Sequence, residues 1–530
     1  MMIRLYYKSR FQRWSAFAGM LTMAGVCLSV SVRADETKDH FDRGVSLYKE
    51  RKNEAALQEF NAARQAYIAA HKDGPEDANI LFWIGFIDLQ MQNYKDAVDP
   101  LEQAIQINPK SPEAHLNLGN VYDGLKRYDD AVREFKKVIE LQPTNAPAAK
   151  QADPWYNLGS VYYKQRKWPE AIAAYQKSAA LNPKDPYVMD GLGYVLLETG
   201  DTRGAIAAYE KATRLQSDNA SFQFNLGLAW LAQAKKAVTK AAADNARTSA
   251  LVPLSRAVEL APTNVQNHET YGETLYDLGR DQEALIQFDK AAQLDPKQYT
   301  PVYNMGVSYS RTGQQAKAID AFHKALEIKP DDRDALHGLA LSQSKSNQFD
   351  EATVTYKHIT ELTPDDLTAW INLAYCLRSK GDKEAEVNAL EEALKHGNDP
   401  AKTAMVRRAL ASYYYKKGDE ESLKRAQDEF EHSLKDAPDN PEALNGLGLL
   451  MSKQKKYDDA LRYFKQAVAV RPNFDDAYNN LGVVYEAKKD LLSAKASYRK
   501  ALQINPKNAL AQKNIDRFDK APAPTPPKTP

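Results

Sequence analysis

Cysteine is nearly missing from this chain: Cys27 and Cys376 are the two in 530 residues. Cys27 falls in a segment that reads as a targeting signal, so one thiol is expected in the mature chain. No internal disulfide can then form, and burial alone has to hold the fold. Cys376 sits within an apolar helical pattern and reads as a small buried hydrophobe. An excess of charge is missing too, with 71 basic against 70 acidic side chains. A chain so balanced lacks the basic footprint that neutralises phosphates, which argues against general nucleic-acid binding. Histidine is sparse, nine in all, with no HExxH spacing and no Cys/His ligand cluster. No GxSxG or Walker A pattern occurs. The "GLG" stretches at Gly191–Gly193 and Gly446–Gly448 lack a third glycine and follow no strand. Acid pairs such as Asp129-Asp130, Asp331-Asp332 and Asp458-Asp459 fall at turns or helix starts, where they suit the helix N-terminus rather than a catalytic dyad. No catalytic residue, no metal ligand and no cofactor is expected. Only 22 residues follow Asn508, too few for a catalytic domain after the region described next.

One long uncharged run does occur, Ser15–Val32, preceded by Arg4, Lys8, Arg10 and Arg13. A positive start, an apolar stretch and Val32-Arg33-Ala34 together predict an export signal over residues 1–34, cleaved after Ala34. The alternative is an uncleaved membrane anchor, since the run sits at the lower limit for a span. Its many Gly, Ser, Ala and Thr residues favour cleavage. Val26 is too large for a lipoprotein motif around Cys27. Export to the periplasm or cell envelope follows as an expectation. Beyond residue 34 the count is 66 basic against 70 acidic.

What the chain has in abundance is itself. "YNLGSVYYKQRKWPEAIAAYQKSAALNP" begins at Tyr156, and "YNNLGVVYEAKKDLLSAKASYRKALQINP" begins at Tyr478. The small residue of the "NLG" phrase recurs at Gly44, Gly85, Gly119, Gly159, Gly193, Gly227, Gly272 and Gly306. It continues at Ala340, Ala374, Ala411, Gly448 and Gly482. Seven of the twelve intervals are 34 residues, and the rest are longer by a short insertion. Twelve residues after the marker a second small residue follows, as at Ala97, Ala131 and Ala171, with Glu386 the exception. Proline closes most units, as at Pro109, Pro143 and Pro183; Ser217 and Asn398 replace it in two. The pattern predicts paired amphipathic helices joined by turns such as "KRYDD" at Lys126–Asp130. The Gly and Ala let the two backbones approach, and a large residue there would overpack the contact by about 1–3 kcal/mol. The proline ends the second helix. One pair alone cannot cover its apolar face, and the next pair does so.

Trp155, Leu158, Gly159, Tyr162, Ala171, Tyr175 and Pro183 carry a resemblance to the tetratricopeptide repeat family, which extends over residues 37–508. The resemblance implies an all-α, right-handed superhelical α-solenoid of about thirteen helical hairpins. A capping helix is expected after Asn508, giving a repeat domain over 35–519. Insertions are expected near 70–77, 145–151, 232–249 and 397–403. The Ala- and Lys-rich one at 232–249 should lengthen both helices of its hairpin. Residues 520–530 are Pro-rich and read as an unpacked tail.

The same resemblance implies a binding wall built from repeat positions 2, 5, 9, 12 and 13 of each first helix, with the marker as position 8. Those positions hold Tyr156, Tyr163, Tyr187, Tyr194 and Phe224, then Tyr276, Tyr303, Tyr375 and Tyr415; Tyr48, Phe82 and Phe86 precede them. Aromatic rings offer large contact area at small entropic cost, which suits a protein or peptide partner. The wall also carries Asp190, Glu198, Glu269, Glu273 and Asp277, and later Arg311, Lys345, Arg378, Arg408, Lys416 and Lys453. A change from acidic to basic would orient a charged partner. Asn at position 6 (Asn117, Asn157, Asn225, Asn304, Asn372 and Asn480) reads as structural. A carboxylate clamp of the kind found in chaperone adaptors needs Lys at position 5 and Asn at position 9; Asn120 at position 9 is paired with Leu116, which rejects it. The function expected is a non-catalytic interaction scaffold in the cell envelope. The alternatives are a membrane-tethered assembly factor and a glycan binder or enzyme using the same wall.

Overall fold

The computed structural model describes residues 34–70, 76–397 and 399–520. The expected signal segment and the Pro-rich tail lie outside the described residues, apart from Ala34 and Lys520 at two helix ends; so does Asn398. The fold is all-α, 82 % helical, with 27 helices and no strand among the described residues. The chain divides into two compact units at Leu278 and Gly279. The first holds the helices from Ala34–Lys49 to Val265–Asp277, and the second those from Asp281–Leu294 to Ala509–Lys520. Within each unit the helices pack on their chain neighbours, hairpin upon hairpin, as in an α-solenoid. The core is accordingly a series of small apolar clusters strung along each unit.

One hairpin shows why the sequence folds this way. The first helix, Pro112–Gly124, opens with Pro112 and is capped by Ser111, whose side chain accepts the Ala114 N–H at 3.2 Å. The chain turns through Lys126 at φ 62°. The second helix, Tyr128–Leu141, carries Asp129 and Asp130 in its first turn, where the helix dipole favours acids. It ends at Leu141, two residues before Pro143. Asp458 and Asp459 take the same first-turn place in Tyr457–Val470, and Asp332 caps Arg333–Lys345 by accepting the Ala335 N–H at 3.1 Å.

The marker glycines are sockets. A Cβ at Gly119 would lie 2.5 Å from Cε1 of Phe135, and one at Gly448 2.5 Å from Cε1 of Phe464. Gly85 faces Leu101, Gly159 faces Tyr175, Gly193 faces Tyr209, Gly306 faces Phe322 and Gly482 faces Tyr498, each residue 16 places further along the same hairpin. In the lengthened sixth hairpin Gly227 faces Leu254. The other glycine of each "GLG" has the same task toward the previous hairpin. Gly191 lies against Tyr175 and Gly446 against Phe430. These glycines therefore seat rings on both sides of one helix, and the phrase is a packing device. Ala97, Ala131 and Ala171 are fully buried opposite them.

Three of the expected insertions lengthen the helices beside them. The first helix of the fourth hairpin starts at Ala148 and runs 17 residues, and Pro400–Lys417 runs 18. The Ala- and Lys-rich segment lengthens both arms of its hairpin, to 17 residues in Ala220–Lys236 and 21 in Lys240–Leu260. Near 70–77, helix Asn53–Ala70 is described as far as Ala70, and 71–75 lie outside the described residues. The last helix, Ala509–Lys520, buries Ala511 and Ile515 and sets Phe518 5.9 Å from Tyr498.

Candidate partner-binding faces

Call the first helix of each hairpin helix A. Side-chain bonds tie consecutive A helices together within each unit. In the first, Asn157 donates to Asn120 at 3.2 Å and Asn225 to Asp190 at 2.8 Å. Lys164 pairs with Asp123 at 2.6 Å, with 15 % and 12 % of the side chains exposed. Burial pulls the Lys164 ammonium below its usual range, opposed by the Asp123 charge. In the second unit Asn480 donates to Asn445 at 3.0 Å, Asn514 to Asn479 at 2.9 Å, and Ser342 to Ser310 at 3.4 Å. At position 6, Asn157, Asn225 and Asn480 thus stitch one hairpin to the previous one. Where glycine replaces asparagine, as at Gly191 and Gly446, a ring fills the gap instead.

The expected wall of rings divides by depth. In the first unit Tyr156, Tyr187 and Phe224 are core residues, 6 %, 7 % and 6 % exposed. Tyr156 meets Tyr175 edge-on at 5.6 Å, and Tyr187 meets Phe222 at 5.3 Å. The resemblance implies that these three offer a face to a partner; Tyr156 and Phe224 instead pack within their own hairpins, and Tyr187 packs against the next one. Phe86 is likewise buried, stacked on Phe82 at 6.0 Å with Tyr48 edge-on at 5.4 Å. Tyr163 and Tyr194 behave differently. Their rings meet at 5.0 Å from two successive A helices and are only partly buried. Burial raises the Tyr163 hydroxyl well above the usual phenol range, helped by its bond to Tyr194 and by the nearby Glu198 carboxylate. Tyr276 is partly buried in the last helix of this unit. Of the acids, Asp190 and Glu269 are internal, 1 % and 4 % exposed, and add nothing to a solvated wall. Glu198, Glu273 and Asp277 are exposed.

In the second unit Tyr303 stacks on Tyr299 at 5.5 Å, and Lys329 sits 4.0 Å over the Tyr299 ring. Tyr375 is 52 % exposed and touches Phe349 edge-on at 6.2 Å. Tyr415 is partly buried, with Lys453 of the next A helix 5.4 Å from its ring centre. Arg311 pairs with Asp281 at 2.6 Å and Arg378 with Glu386 at 2.6 Å. Arg408, partly buried, lies close enough to Glu442 to help hold that carboxyl below its usual range. Lys345, Lys416 and Lys453 are exposed and make no ion pair among the described residues. The apolar exposure of Leu341 and Val483, 42 % each, carried no signal in the aromatic pattern.

Histidine does structural work. His115 pairs with Glu134 at 2.7 Å and His40 with Glu59 at 2.6 Å, in both cases joining the two arms of one hairpin at the same register. Among the described residues no group of three or more His, Cys, Asp or Glu is placed to hold a metal ion. Cys376 is fully buried, and burial raises its thiol. No helix among the described residues is long and apolar enough to cross a membrane.

Profiles of the tetratricopeptide repeat match residues 88–152, 152–185, 311–374, 367–395 and 452–509, and a TPR repeat profile matches 193–233. The chain belongs to the tetratricopeptide repeat family. Tetratricopeptide repeat proteins are generally protein–protein interaction scaffolds, and the family is typically non-catalytic. Among curated relatives, Tetratricopeptide repeat protein 33 of Homo sapiens is 27 % identical over 122 residues, 23 % of this chain and 44 % of that protein. Cell division cycle protein 27 homolog A of Arabidopsis thaliana is 29 % identical over 109 residues, 20 % of this chain and 14 % of that protein. The chain thus spans less than half the length of either. Among solved structures, YrrB, described as a TPR protein with an unusual peptide-binding site, is 28 % identical. It aligns over 38 % of this chain and 96 % of its own, with a TM-score of 0.33.

Proposed function

We propose that this tetratricopeptide repeat protein is a non-catalytic scaffold of the cell envelope that holds a peptide or partner protein against its helix-A faces. The carrying observation is the Tyr163–Tyr194 pair, two partly exposed rings at 5.0 Å from neighbouring A helices. Such a pair offers rigid apolar area with hydroxyls at its margin, the combination enriched at protein interfaces. Export rests on the charged start and apolar run of residues 1–34.

Two measurements test this reading. A photo-cross-linking residue at position 194 should trap a protein partner in the native host, and Tyr163→Ala with Tyr194→Ala should weaken that capture with helicity unchanged. Capture unaffected by the double substitution would remove this face from the mechanism. N-terminal sequencing of the mature protein should begin at Asp35; a chain that retains Met1 would favour the tethered form instead.

A further inference from the structure

The second unit carries a pattern that neither the repeat nor the aromatic wall requires. On its A helices position 9 is apolar in all but one, where it is Ser412, and in three of them it is open to solvent. Leu341, Tyr375 and Val483 are 42 %, 52 % and 42 % exposed there, and Leu449 is partly exposed. One helical turn further on stands a cation: Lys345 after Leu341, Arg378 after Tyr375, and Lys453 after Leu449. Lys416 holds the same place after Ser412, and Arg311 does so after Val307. Residues three or four apart share one face of a helix. The unit therefore bears an apolar row and, beside it, a basic row. Arg311 and Arg378 are partly neutralised by Asp281 and Glu386. Lys345, Lys416 and Lys453 keep their charge unmatched among the described residues. In the last hairpin the cation gives way to Glu486, which is taken up by Tyr498 and Arg517.

We propose that the helix-A face of the second unit takes an acidic segment of a partner protein. Its apolar side chains would seat on the row from Leu341 to Val483, and its carboxylates would meet Lys345, Lys416 and Lys453. This rests on the reading that helix-A faces hold partners, and it names the chemistry of the partner for one of them. Packed helix axes lie about 9 Å apart, and an extended chain advances about 3.3 Å per residue. Apolar side chains about three residues apart would therefore reach successive helices, with acids between them. A nucleic-acid strand fits less well. Its bases need stacking rings, and Tyr375 is the one aromatic in the apolar row. The unmatched lysines make the encounter faster and sensitive to salt.

The test uses the full chain and a displayed library of random peptides. Selected binders should be enriched in Asp and Glu interleaved with Leu, Ile or Phe. Their affinity should fall about tenfold or more on Lys345→Glu/Lys416→Glu/Lys453→Glu, and likewise on Leu341→Ser/Val483→Ser. All five positions are exposed, so circular dichroism and thermal melting should match the unsubstituted chain. Binders without acids that still need Leu341 and Val483 would overturn this inference and leave the scaffold reading standing. Acidic binders indifferent to both variants would overturn it as well. Tight binding of single-stranded oligothymidylate, lost in the charge-reversed variant, would overturn it in favour of nucleic acid. A library that yields no binder at all would count against both readings.

Discussion

The two units are built from one hairpin and expose different things. In the first, the rings at positions 2 and 5 of helix A, Tyr187, Tyr156 and Phe224, turn into the core. Among the wall rings left partly outside are the paired Tyr163 and Tyr194, with Glu198 beside them. In the second, position 9 stays open at Leu341, Tyr375 and Val483, and exposed Lys345, Lys416 and Lys453 lie a turn beyond position 9 of their own helices. The repeat pattern constrains the buried contacts so tightly that specificity is left to the few helix-A positions the neighbouring hairpins do not cover. Two units of one architecture can then present an aromatic, acid-edged face and an aliphatic, basic one.

The largest effect should come from breaking what the units share. Gly119→Leu in the first and Gly448→Leu in the second each drive a side chain into a phenylalanine that already touches the helix backbone. Each should cost about 1–3 kcal/mol or more, read as a lower melting temperature. Comparable losses in both units would support a common socket; a loss in one alone would break the parallel. Next come the faces. Tyr163→Ala with Tyr194→Ala should weaken capture at the first unit roughly tenfold, at the scale of an interface anchor. Added salt should weaken binding at the second unit more than at the first.

Smaller effects sharpen the comparison. Asn157→Ala and Asn480→Ala each delete one stitch between A helices, at 3.2 and 3.0 Å. Each should cost about 0.5–1.5 kcal/mol in urea titration. Smallest is a pH effect at one carboxylate of the second unit. Asp366 caps Leu367–Lys380 and lies 2.7 Å from His337. Burial alone would raise its carboxyl, but the His337 and Ala369 hydrogen bonds outweigh that and hold it below the usual carboxylate range. Its stabilising contribution is therefore present above the ordinary Asp value near pH 4 and is lost as pH falls through the lowered one. Asp366→Asn should flatten the acid limb of the stability curve by a small amount and leave neutral pH less stable than the parent.

The architecture was legible in the sequence because its requirements are local and periodic. A small residue at the marker, another twelve residues on and a proline at the end reappear in the structure as a ring socket, a buried contact and a helix stop. The faces were less legible. Repeat position tells which way a side chain leaves its helix and says nothing of how far a neighbour covers it. Tyr156 and Tyr375 both lie on helix A, yet Tyr156 is closed over by Tyr175 of its own hairpin and Tyr375 is not. Asp190 read as a wall charge, and its carboxylate instead receives Asn225 inside the stack. The apolar row at Leu341 and Val483 leaves no mark in the sequence, because aliphatic residues are ordinary in this repeat and exposure alone sets these two apart.

The sixteen-residue offset between socket and ring has a consequence for how such a chain can change length. Because both halves of the contact come from one hairpin, a duplicated or deleted whole repeat carries its own lock and key. A cut that removed one arm of a hairpin would leave either an aromatic side chain without a seat or a glycine-lined notch empty. Growth and loss in this molecule should therefore proceed in whole modules, with each unit free to lengthen its binding row by one helix at a time.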